Sequence, residues 1–391
     1  MVANFGGKSA IVGIGATEFS KNSGRSELQL ASEAVVAALK DCGLKPTDVD
    51  GMVSFTMDST DEIEIARTVG IGELNFYACT PHGGGAATGL LHQAAMAVAT
   101  GAAETVVCYR SLNGRSGQRY SDGVSGDLIT SDLIHWGWYM PYGLLTPASW
   151  VAMFTQRYMH LTGCTKDSLY EVARQTRDMA VNNPAAFFYE KPLEREQYDK
   201  AKTIVRPLDL FDCCQESDGA CACIVTTPER AKDLKQEGAL ILGVGQGSGV
   251  DQEVMTSFYR EELGSIPSMD IAAKQVYAQT GLCADDIDAG VIYDAFTSIV
   301  LFQLESWGFC KPGEAKDFVM NDNLSLKGRL PCNTHGGQLS EAYIHGMNGV
   351  NEGVRLVRGT SVNQPDKDVN NVLVTSGVGV PTGGMILGKM K

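Results

Sequence analysis

Apolar runs alternate with helix-length amphipathic segments over the first 110 residues. The segment from about Leu28 to Cys42 repeats its apolar positions at helical spacing and predicts a helix. A glycine-rich turn, Gly83–Gly89, opens a second predicted helix that continues through Val98. Strands that alternate with helices favour a mainly parallel sheet covered by helices. The three predicted strands are Ala10–Gly15, Met52–Phe55 and Thr105–Tyr109.

This pattern occurs twice in the chain. GLKPTDVDGMVSF (Gly43–Phe55) reappears as GLCADDIDAGVIYDAF (Gly281–Phe296), with an aspartate seven positions after the leading glycine in both copies. CTPHGG (Cys79–Gly84) then reappears, in the same order, as CNTHGG (Cys332–Gly337). We therefore predict a tandem duplication of one α/β unit, with the halves at about residues 1–235 and 236–391.

A long insertion, at about residues 111–210, interrupts the first half. It contains Trp136, Trp138 and Trp150, three of the four tryptophans of the chain. We expect these aromatic residues to form a small core of the insertion itself. A lid over a wide apolar pocket, suited to a bulky lipid, is an alternative that is compatible with such a core.

Composition narrows the class of protein. The formal charge of −14 and pI near 4.9 argue against nucleic acid or an anionic membrane as a partner. We find no signal peptide and no apolar run of membrane-spanning length, about 18 residues. The eleven cysteines are then typical of reduced thiols in a cytoplasmic protein. Alternation in ACACIVTT (Ala220–Thr227) predicts a buried strand, not a metal site.

The duplicated unit and its glycine-rich loops resemble the thiolase superfamily, and the sterol-carrier-protein-X-like group in particular. The resemblance extends from about residue 8 to about residue 389 and implies a duplicated thiolase fold of the α/β class. Its layers are αβαβα, with a helical and loop insertion in the first half. The stretches that carry it are SAIVGIGATEF (Ser9–Phe19), NNPAAF (Asn182–Phe187) and RPLDLFDCCQESDGACACIV (Arg206–Val225).

The catalytic positions of thiolases are changed in this chain. The loop that should carry the nucleophilic cysteine is PHGGGAATG (Pro81–Gly89), in which glycine or alanine occupies every position where the cysteine could fall. Tyr343 stands where the catalytic histidine is expected, and Tyr293 where an oxyanion-hole asparagine is expected. Thr375 and Ser376 lie near the place of the second cysteine. Without a nucleophile no acyl-enzyme can form.

Two phenols suit proton transfer better than acyl transfer, since tyrosine is a weak acid and a poor acyl nucleophile. The pattern resembles the bacterial steroid side-chain-cleaving aldolases, which are carbon–carbon lyases acting on an acyl-CoA. This resemblance implies retro-aldol cleavage of a 17-hydroxy-3-oxo-pregnene-20-carboxyl-CoA to a 17-ketosteroid and propionyl-CoA. We hypothesise that Tyr293 and Tyr343 are the acid–base pair, with the order left open.

The same resemblance implies a homodimer bound to a small OB-fold partner or a hydratase-linked domain. Coenzyme A would enter only as part of the substrate, and we expect neither a cofactor nor a bound metal.

Neighbouring polar residues are further candidates for the site. Asp294 either orients Tyr293 or caps the helix expected to begin at Thr297. His335 is a candidate for binding the thioester oxygen and could pair with His82 across the duplication, while His345 is expected to be structural. Arg110, Arg115 and Arg119 are equally eligible to bind the coenzyme A phosphates.

Other functions remain open at this stage. The chain could be a decayed thiolase kept as a structural subunit, a non-catalytic acyl-CoA- or sterol-binding subunit, or a thiolase with an unrecognised nucleophile. Two phenols at two active-site positions favour repurposing over decay. A zinc site is a further alternative that metal analysis would decide. Its ligands would be Cys79, His82, Cys332 and His335.

Overall fold

A computed structural model describes residues 5–55, 60–81, 84–123, 135–256, 258–377, 379 and 382–390. The strands of its large sheet are β1 (Ala10–Ala16), β2 (Gly51–Phe55), β3 (Phe76–Thr80), β4 (Thr105–Asn113), β7 (Asp218–Thr226), β8 (Ala239–Gly247), β9 (Ala289–Val291), β10 (Asn371–Ser376) and β11 (Thr382–Lys389), and a small ribbon holds β5 (Thr203–Val205) and β6 (Leu208–Asp209). The helices are α1 (Glu27–Cys42), α2 (Glu62–Val69), α3 (Ala86–Thr100), α4 (Trp136–Tyr139), α5 (Pro147–Thr162), α6 (Lys166–Ala180), α7 (Arg195–Asp199), α8 (Pro228–Ala231), α9 (Pro267–Thr280), α10 (Thr297–Ser306), α11 (Ala315–Val319) and α12 (Met347–Arg358).

The large sheet has the strand order β3-β2-β4-β7-β1-β8-β11-β10-β9. The expectation of a mainly parallel sheet is wrong, because only the pairs β2–β3, β2–β4 and β9–β10 are parallel. The other pairs are antiparallel. Crossover helices join the parallel strands, as parallel pairing requires, whereas β11 follows β10 after a short connection and therefore returns antiparallel to it.

The strand order is the same when it is followed inward from either edge. From the β3 edge inward, the strands of the first half lie in the order β3, β2, β4, β7 and β1. Along the chain these are the third, second, fourth, fifth and first strands of that half in the large sheet. At the other edge, a bridge between Gly290 and Cys332 stands in the place of a third strand beside β9. Strands β1 and β8 join the halves by pairing with each other. A boundary near residue 235, between the end of β7 and the start of β8, stays a prediction.

The repeated aspartates do the same work in both halves. The Asp50 carboxylate accepts hydrogen bonds from the backbone N–H groups of Glu104 and Thr105, at 2.9 and 2.8 Å, where β4 begins. The Asp288 carboxylate accepts from the N–H groups of Asn370 and Asn371, at 2.8 and 2.9 Å, where β10 begins. Each aspartate thus ties the start of one parallel strand to the start of its neighbour.

Two helices form the middle layer. Helices α3 and α12 each pack against strands of both halves, while α1 covers the outer face of the first half and α9 that of the second. Both central helices are almost entirely buried, with apolar residues such as Leu90, Leu91, Val350 and Val354 in the shared core. This is the αβαβα layering that the sequence predicts.

The predicted aromatic residues of the insertion do not form one core of their own. Tyr158 is buried in a core shared with residues of the second half, among them Phe302 on α10, and Trp150 is buried as well. A small cluster within the insertion is built instead around Tyr170 and Tyr198. Trp136 stacks on Trp150 with ring centroids 5.6 Å apart, whereas Trp138 remains 68% exposed. The insertion therefore packs as an extension of the second half, because α5 lies directly against α10. No helix among the described residues is long and apolar enough to cross a membrane.

Candidate active site

The two predicted tyrosines meet in the interior of the molecule. Tyr293 follows the end of β9, and Tyr343 follows a π-helical turn at Gly337–Glu341. Their hydroxyl oxygens lie 3.2 Å apart, within hydrogen-bond distance. Tyr293 is 3% exposed and Tyr343 is 8% exposed. Residues that are 50 positions apart in sequence thus form one buried pair.

Backbone contacts fix the phenol pair from two sides. The Tyr293 N–H donates to Thr375 Oγ1 at 2.9 Å, and the Gln303 side chain donates to the Tyr293 carbonyl at 2.6 Å. The Tyr343 N–H donates to the carbonyl of Gln215 at 3.1 Å. Because β10, α10 and the segment before β7 supply these partners, the phenols are held by the scaffold.

Burial is the main cause of the electrostatic state of both phenols. It raises the pKa of Tyr293 and of Tyr343 well above the usual value of about 10. The hydrogen bond with Tyr343 opposes this rise for Tyr293. Both hydroxyls therefore hold their protons at neutral pH in the free protein, so either can donate one.

Two glycines make room for the Tyr293 ring. A Cβ atom on Gly84 would lie 1.9 Å from the Tyr293 hydroxyl oxygen, far inside van der Waals contact. A Cβ atom on Gly346 would lie 3.2 Å from the other edge of the ring, and Gly346 has φ +89°, a conformation that favours glycine. The phenol thus occupies the space that side chains at these positions would fill.

Asp294 has a structural role that the sequence does not predict. Its carboxylate accepts hydrogen bonds from the N–H groups of Gln338 and Leu339, at 2.7 and 3.3 Å, and so caps the π-helical turn. The cap residue of α10 is Phe296, without a side-chain hydrogen bond to the helix. The expectation that Asp294 caps that helix is therefore wrong. Burial raises the pKa of Asp294 to about 6.

His335 lies beside the phenol pair at a small void. The void has a volume of about 10 Å³, roughly the room for one water molecule, and Tyr293, His335 and Gln338 are among its lining residues. His335 Nδ1 and Gln338 Oε1 are buried and have no hydrogen-bond partner among the described residues. The other ring nitrogen, His335 Nε2, lies 3.8 Å from the Glu341 carboxylate. His82, the predicted partner, lies outside the described residues.

Three residues near Tyr343 were not predicted to belong to the site. The ring of Tyr120 lies edge-on to Tyr343 at 5.9 Å, and His345 contacts Tyr343 at 5.0 Å and Tyr120 at 5.1 Å. Arg110 donates from Nε to His345 Nδ1 at 3.0 Å, and burial lowers the pKa of His345 well below its usual range. Its φ of +50° is unusual for a buried residue other than glycine. No sequence signal identified Tyr120, because its loop lies in the insertion.

The three arginines predicted to be eligible for binding the coenzyme A phosphates are not equivalent. Arg110 is 2% exposed and donates a hydrogen bond to His345, so its side chain is buried and does not face a phosphate in solvent. Arg119 is engaged in an ion pair with Glu216 at 2.5 Å. Among the described residues, no cluster of three or more histidine, cysteine or acidic side chains could hold a metal ion. The coenzyme A contacts stay open.

Comparison with known proteins decides the family. The chain is 59% identical over 384 residues to the steroid side-chain-cleaving aldolase of Thermomonospora curvata, covering 98% of each protein. It is 53% identical over 386 residues to the 17-hydroxy-3-oxo-4-pregnene-20-carboxyl-CoA lyase of Mycobacterium tuberculosis, covering 98% of this chain and 99% of that protein.

The chain belongs to the thiolase superfamily. A profile described as "Thiolase C-terminal domain-like" matches residues 248–389. A solved structure named "Ltp2-ChsH2(DUF35) aldolase" superposes with a TM-score of 0.95 at 58% identity over 99% of both chains. Human mitochondrial 3-ketoacyl-CoA thiolase in complex with CoA superposes at 0.68 with 16% identity over 99% of both chains, which supports the thiolase fold alone.

Within the thiolase superfamily, this chain is a carbon–carbon lyase of the aldolase type, as the sequence predicts. The predicted thiolase fold is confirmed. Where a thiolase carries its nucleophile, the described part of the glycine-rich loop places Gly84 against the Tyr293 hydroxyl. Ser376, near the place of the second thiolase cysteine, donates to the Gly85 carbonyl at 3.0 Å and therefore braces that loop.

Proposed function

We propose that this enzyme cleaves a steroid β-hydroxyacyl-CoA of the 17-hydroxy-3-oxo-pregnene-20-carboxyl-CoA type by a retro-aldol reaction. The products are a 17-ketosteroid and propionyl-CoA. The observation that carries the proposal is the direct contact of the Tyr293 and Tyr343 hydroxyls at 3.2 Å in a buried site. The activities of the two relatives with more than 50% identity support the substrate class.

The reaction needs one proton removed and one proton added. A base takes the proton of the 17-hydroxyl, and the C17–C20 bond breaks to leave a ketone at C17. The bonding electrons pass to C20 and its thioester carbonyl as an enolate. An acid then protonates C20 to give propionyl-CoA. Tyr293 and Tyr343 are the proposed pair for these two proton transfers, and their order is left open.

An unperturbed phenol is a weak base at neutral pH, and burial makes each of these phenols weaker as an acid. Tyr293 and Tyr343 must therefore act when a substrate is bound, with the substrate hydroxyl and thioester carbonyl next to the two phenols in place of water. Hydrogen bonding between the phenols stabilises a phenolate at either position, since a charged acceptor makes the stronger hydrogen bond. This is the physical reason for two adjacent phenols.

His335 is the proposed donor to the thioester oxygen. Its buried Nδ1 has no hydrogen-bond partner among the described residues, and the residue lines the void beside Tyr293. A donor that is aimed at the developing enolate oxygen stabilises the transition state more than the ground state. Asp294 is proposed to support this donor indirectly, because it caps the turn that follows His335.

We propose no cofactor or resident metal for this reaction, since proton transfer and an oxyanion donor suffice for a retro-aldol step. We also propose a homodimer bound to a partner of the DUF35 type, the kind named in the "Ltp2-ChsH2(DUF35) aldolase" structure. The edge strand β3 supports a second copy as neighbour, because its outer side is unpaired in the described sheet and Tyr77 on it is 67% exposed. An OB fold in the partner stays an expectation.

The test is a cleavage assay on the steroid acyl-CoA, with and without a DUF35-type partner. Propionyl-CoA and the 17-ketosteroid should form together in equal amounts. Tyr343→Phe should lower kcat by about 10²–10⁴, the usual effect of removing a proton-transfer group. The control is Tyr158→Phe, which removes the hydroxyl of a buried tyrosine on α5 that bonds Glu305, remote from the predicted chemistry.

Wild-type turnover in both Tyr293→Phe and Tyr343→Phe would overturn the tyrosine assignment. Tight binding of the acyl-CoA without cleavage under either condition would overturn the lyase assignment for this substrate and favour a carrier. Loss of activity in Tyr158→Phe equal to that in Tyr343→Phe would show that the effect is structural.

A further inference from the structure

The His335 imidazole has a buried carboxylate behind it. Glu341 is 2% exposed, and its Oε2 lies 3.8 Å from His335 Nε2. The other ring nitrogen, Nδ1, is buried without a hydrogen-bond partner among the described residues, and His335 is one of the residues that line the void. The imidazole thus lies between a carboxyl group and the void beside Tyr293.

The Glu341 carboxylate is held in place by two amides. Asn183 donates to its Oε1 at 3.0 Å, and Asn348 donates to its Oε2 at 2.8 Å. Asn183 also donates to the His335 carbonyl at 2.8 Å, which links the histidine backbone to the same group. The two amides come from separate segments, so the carboxylate cannot turn away without breaking both of its hydrogen bonds.

We propose that Glu341 is a positioning residue that orients the His335 ring. Because the Glu341 carboxyl group lies on the Nε2 side of the ring, Nδ1 is the nitrogen left to donate to the enolate oxygen. The inference rests on the proposed function, since it assigns a purpose to the His335 donor.

A carboxyl group beside one nitrogen of an imidazole fixes the orientation of the ring, as in the well-known serine protease arrangement. Both side chains are buried, so water does not screen their interaction. The other charged and titratable groups around the pair are Asp294, Tyr293, Glu352 and Arg355. Of these, Arg355 is bound to Glu352 at 3.1 Å, so its charge is largely compensated.

Glu352 offers a matched control. It is also buried and accepts hydrogen bonds from Thr334 and Ser361, yet among the described residues it forms no hydrogen bond or ion pair with the His335 side chain. Glu341→Gln and Glu352→Gln each remove one buried carboxylate while they keep the size and most hydrogen bonds of the side chain. Both variants are expected to lose some thermal stability.

The first measurement is steady-state cleavage. Glu341→Gln should lower kcat by about 10- to 100-fold with KM changed less than about threefold, because the donor is used mainly in the transition state. Glu352→Gln should keep kcat within about threefold of wild type. Equal kcat values in the two variants would overturn the proposal.

Two further measurements do not depend on the steroid. Exchange of the α-hydrogens of propionyl-CoA with D₂O reports formation of the enolate, and Glu341→Gln should slow it by the same factor as kcat. The ¹⁵N NMR signals of His335, assigned by their absence in His335→Asn, should shift in Glu341→Gln and stay unchanged in Glu352→Gln. An unchanged His335 signal would refute the role of Glu341, while failure of the wild type to cleave the steroid acyl-CoA would refute the proposed substrate alone.

Discussion

The two copies of the repeat place an aromatic ring at the same position but give it different chemistry. Phe55 follows Gly43 by twelve residues, and Tyr293 follows Gly281 by twelve. The Phe55 ring stacks on His345 with centroids 5.8 Å apart and lies 5.2 Å from the Arg110 guanidinium carbon, and it has no group that can transfer a proton. Tyr293 adds one hydroxyl group, and that hydroxyl meets Tyr343.

The glycine-rich loops differ in the same way. Gly84 and Gly337 are corresponding residues of the two loops, and each leaves room for a polar group. A Cβ atom on Gly84 would collide with the Tyr293 hydroxyl at 1.9 Å, and one on Gly337 would collide with the Asp294 carboxylate at 2.0 Å. Both of these polar groups come from the second half. The duplication thus keeps two copies of a scaffold, while the tyrosine pair and Asp294 all come from the second copy.

The largest expected effect tests whether Tyr293 and Tyr343, both in the second half, act together as one catalytic unit. Tyr293→Phe and Tyr343→Phe should each lower kcat by about 10²–10⁴. The double variant should be little worse than the weaker single variant, because residues that act as one unit are not additive. Steady-state kinetics of the four proteins measures this. Multiplicative losses would mean that the phenols act independently.

A change in the first half should disturb the second through shape alone. Gly84→Ala must displace the Tyr293 phenol, and we expect about a 10²-fold loss of kcat with roughly 1–3 kcal/mol of lost stability. Gly72→Ala is the control in the same half, since a Cβ there meets open space. Kinetics and urea unfolding of both variants decide the matter. Full activity in Gly84→Ala would show that the phenol does not need this space.

Asp294 should make the stability of the fold depend on pH. Because burial raises its pKa from 3.8 to about 6, the folded state binds the proton more tightly than the unfolded state. The free energy of unfolding should therefore fall by up to about 3 kcal/mol as the pH rises from about 4 to about 6. Denaturant unfolding at several pH values should show this slope in the wild type and a flatter profile in Asp294→Asn. Equal slopes would contradict the assignment.

The smallest expected effect concerns Asp50 and Asp288, which form equivalent hydrogen bonds in the two halves. Asp50→Ala and Asp288→Ala should each cost roughly 1–2 kcal/mol of stability, since each leaves two strand-initiating N–H groups without their carboxylate. The control is Asp366→Ala at an exposed position. Urea unfolding should give similar losses for the two repeat variants and none for the control. A loss confined to one half would mean that the scaffold is not equivalent.

The repeat could be predicted because its signals are local and ordered. A glycine that ends a helix, an aspartate seven residues later and an apolar strand recur in both halves. In the structure both aspartates accept hydrogen bonds from corresponding backbone N–H groups, at the start of the neighbouring parallel strand. The direction of the strands could not be predicted in this way, because alternation of strands and helices does not reveal which strands return without a crossover. For this reason the sheet is mixed where a mainly parallel one was expected.

The tyrosine pair could be predicted from aligned signatures, but its surroundings could not. Asp294 was expected to act locally, yet its partners lie 44 and 45 residues away, at a turn that no sequence period announces. Tyr120 and Glu341 reach the site only through tertiary folding. Contacts between distant segments depend on how layers pack, and a single sequence does not record that.

The close approach of Gly84 to Tyr293 constrains the order in which this site could have been acquired during evolution. A tyrosine at position 293 fits only when position 84 has no side chain, because the hydroxyl would otherwise share space with a Cβ atom. The loop therefore had to reach glycine at this position before, or together with, the arrival of the phenol. As long as Tyr293 remains, any single substitution that adds a side chain at 84 meets the same obstacle, so a reversal of this step has to begin at position 293.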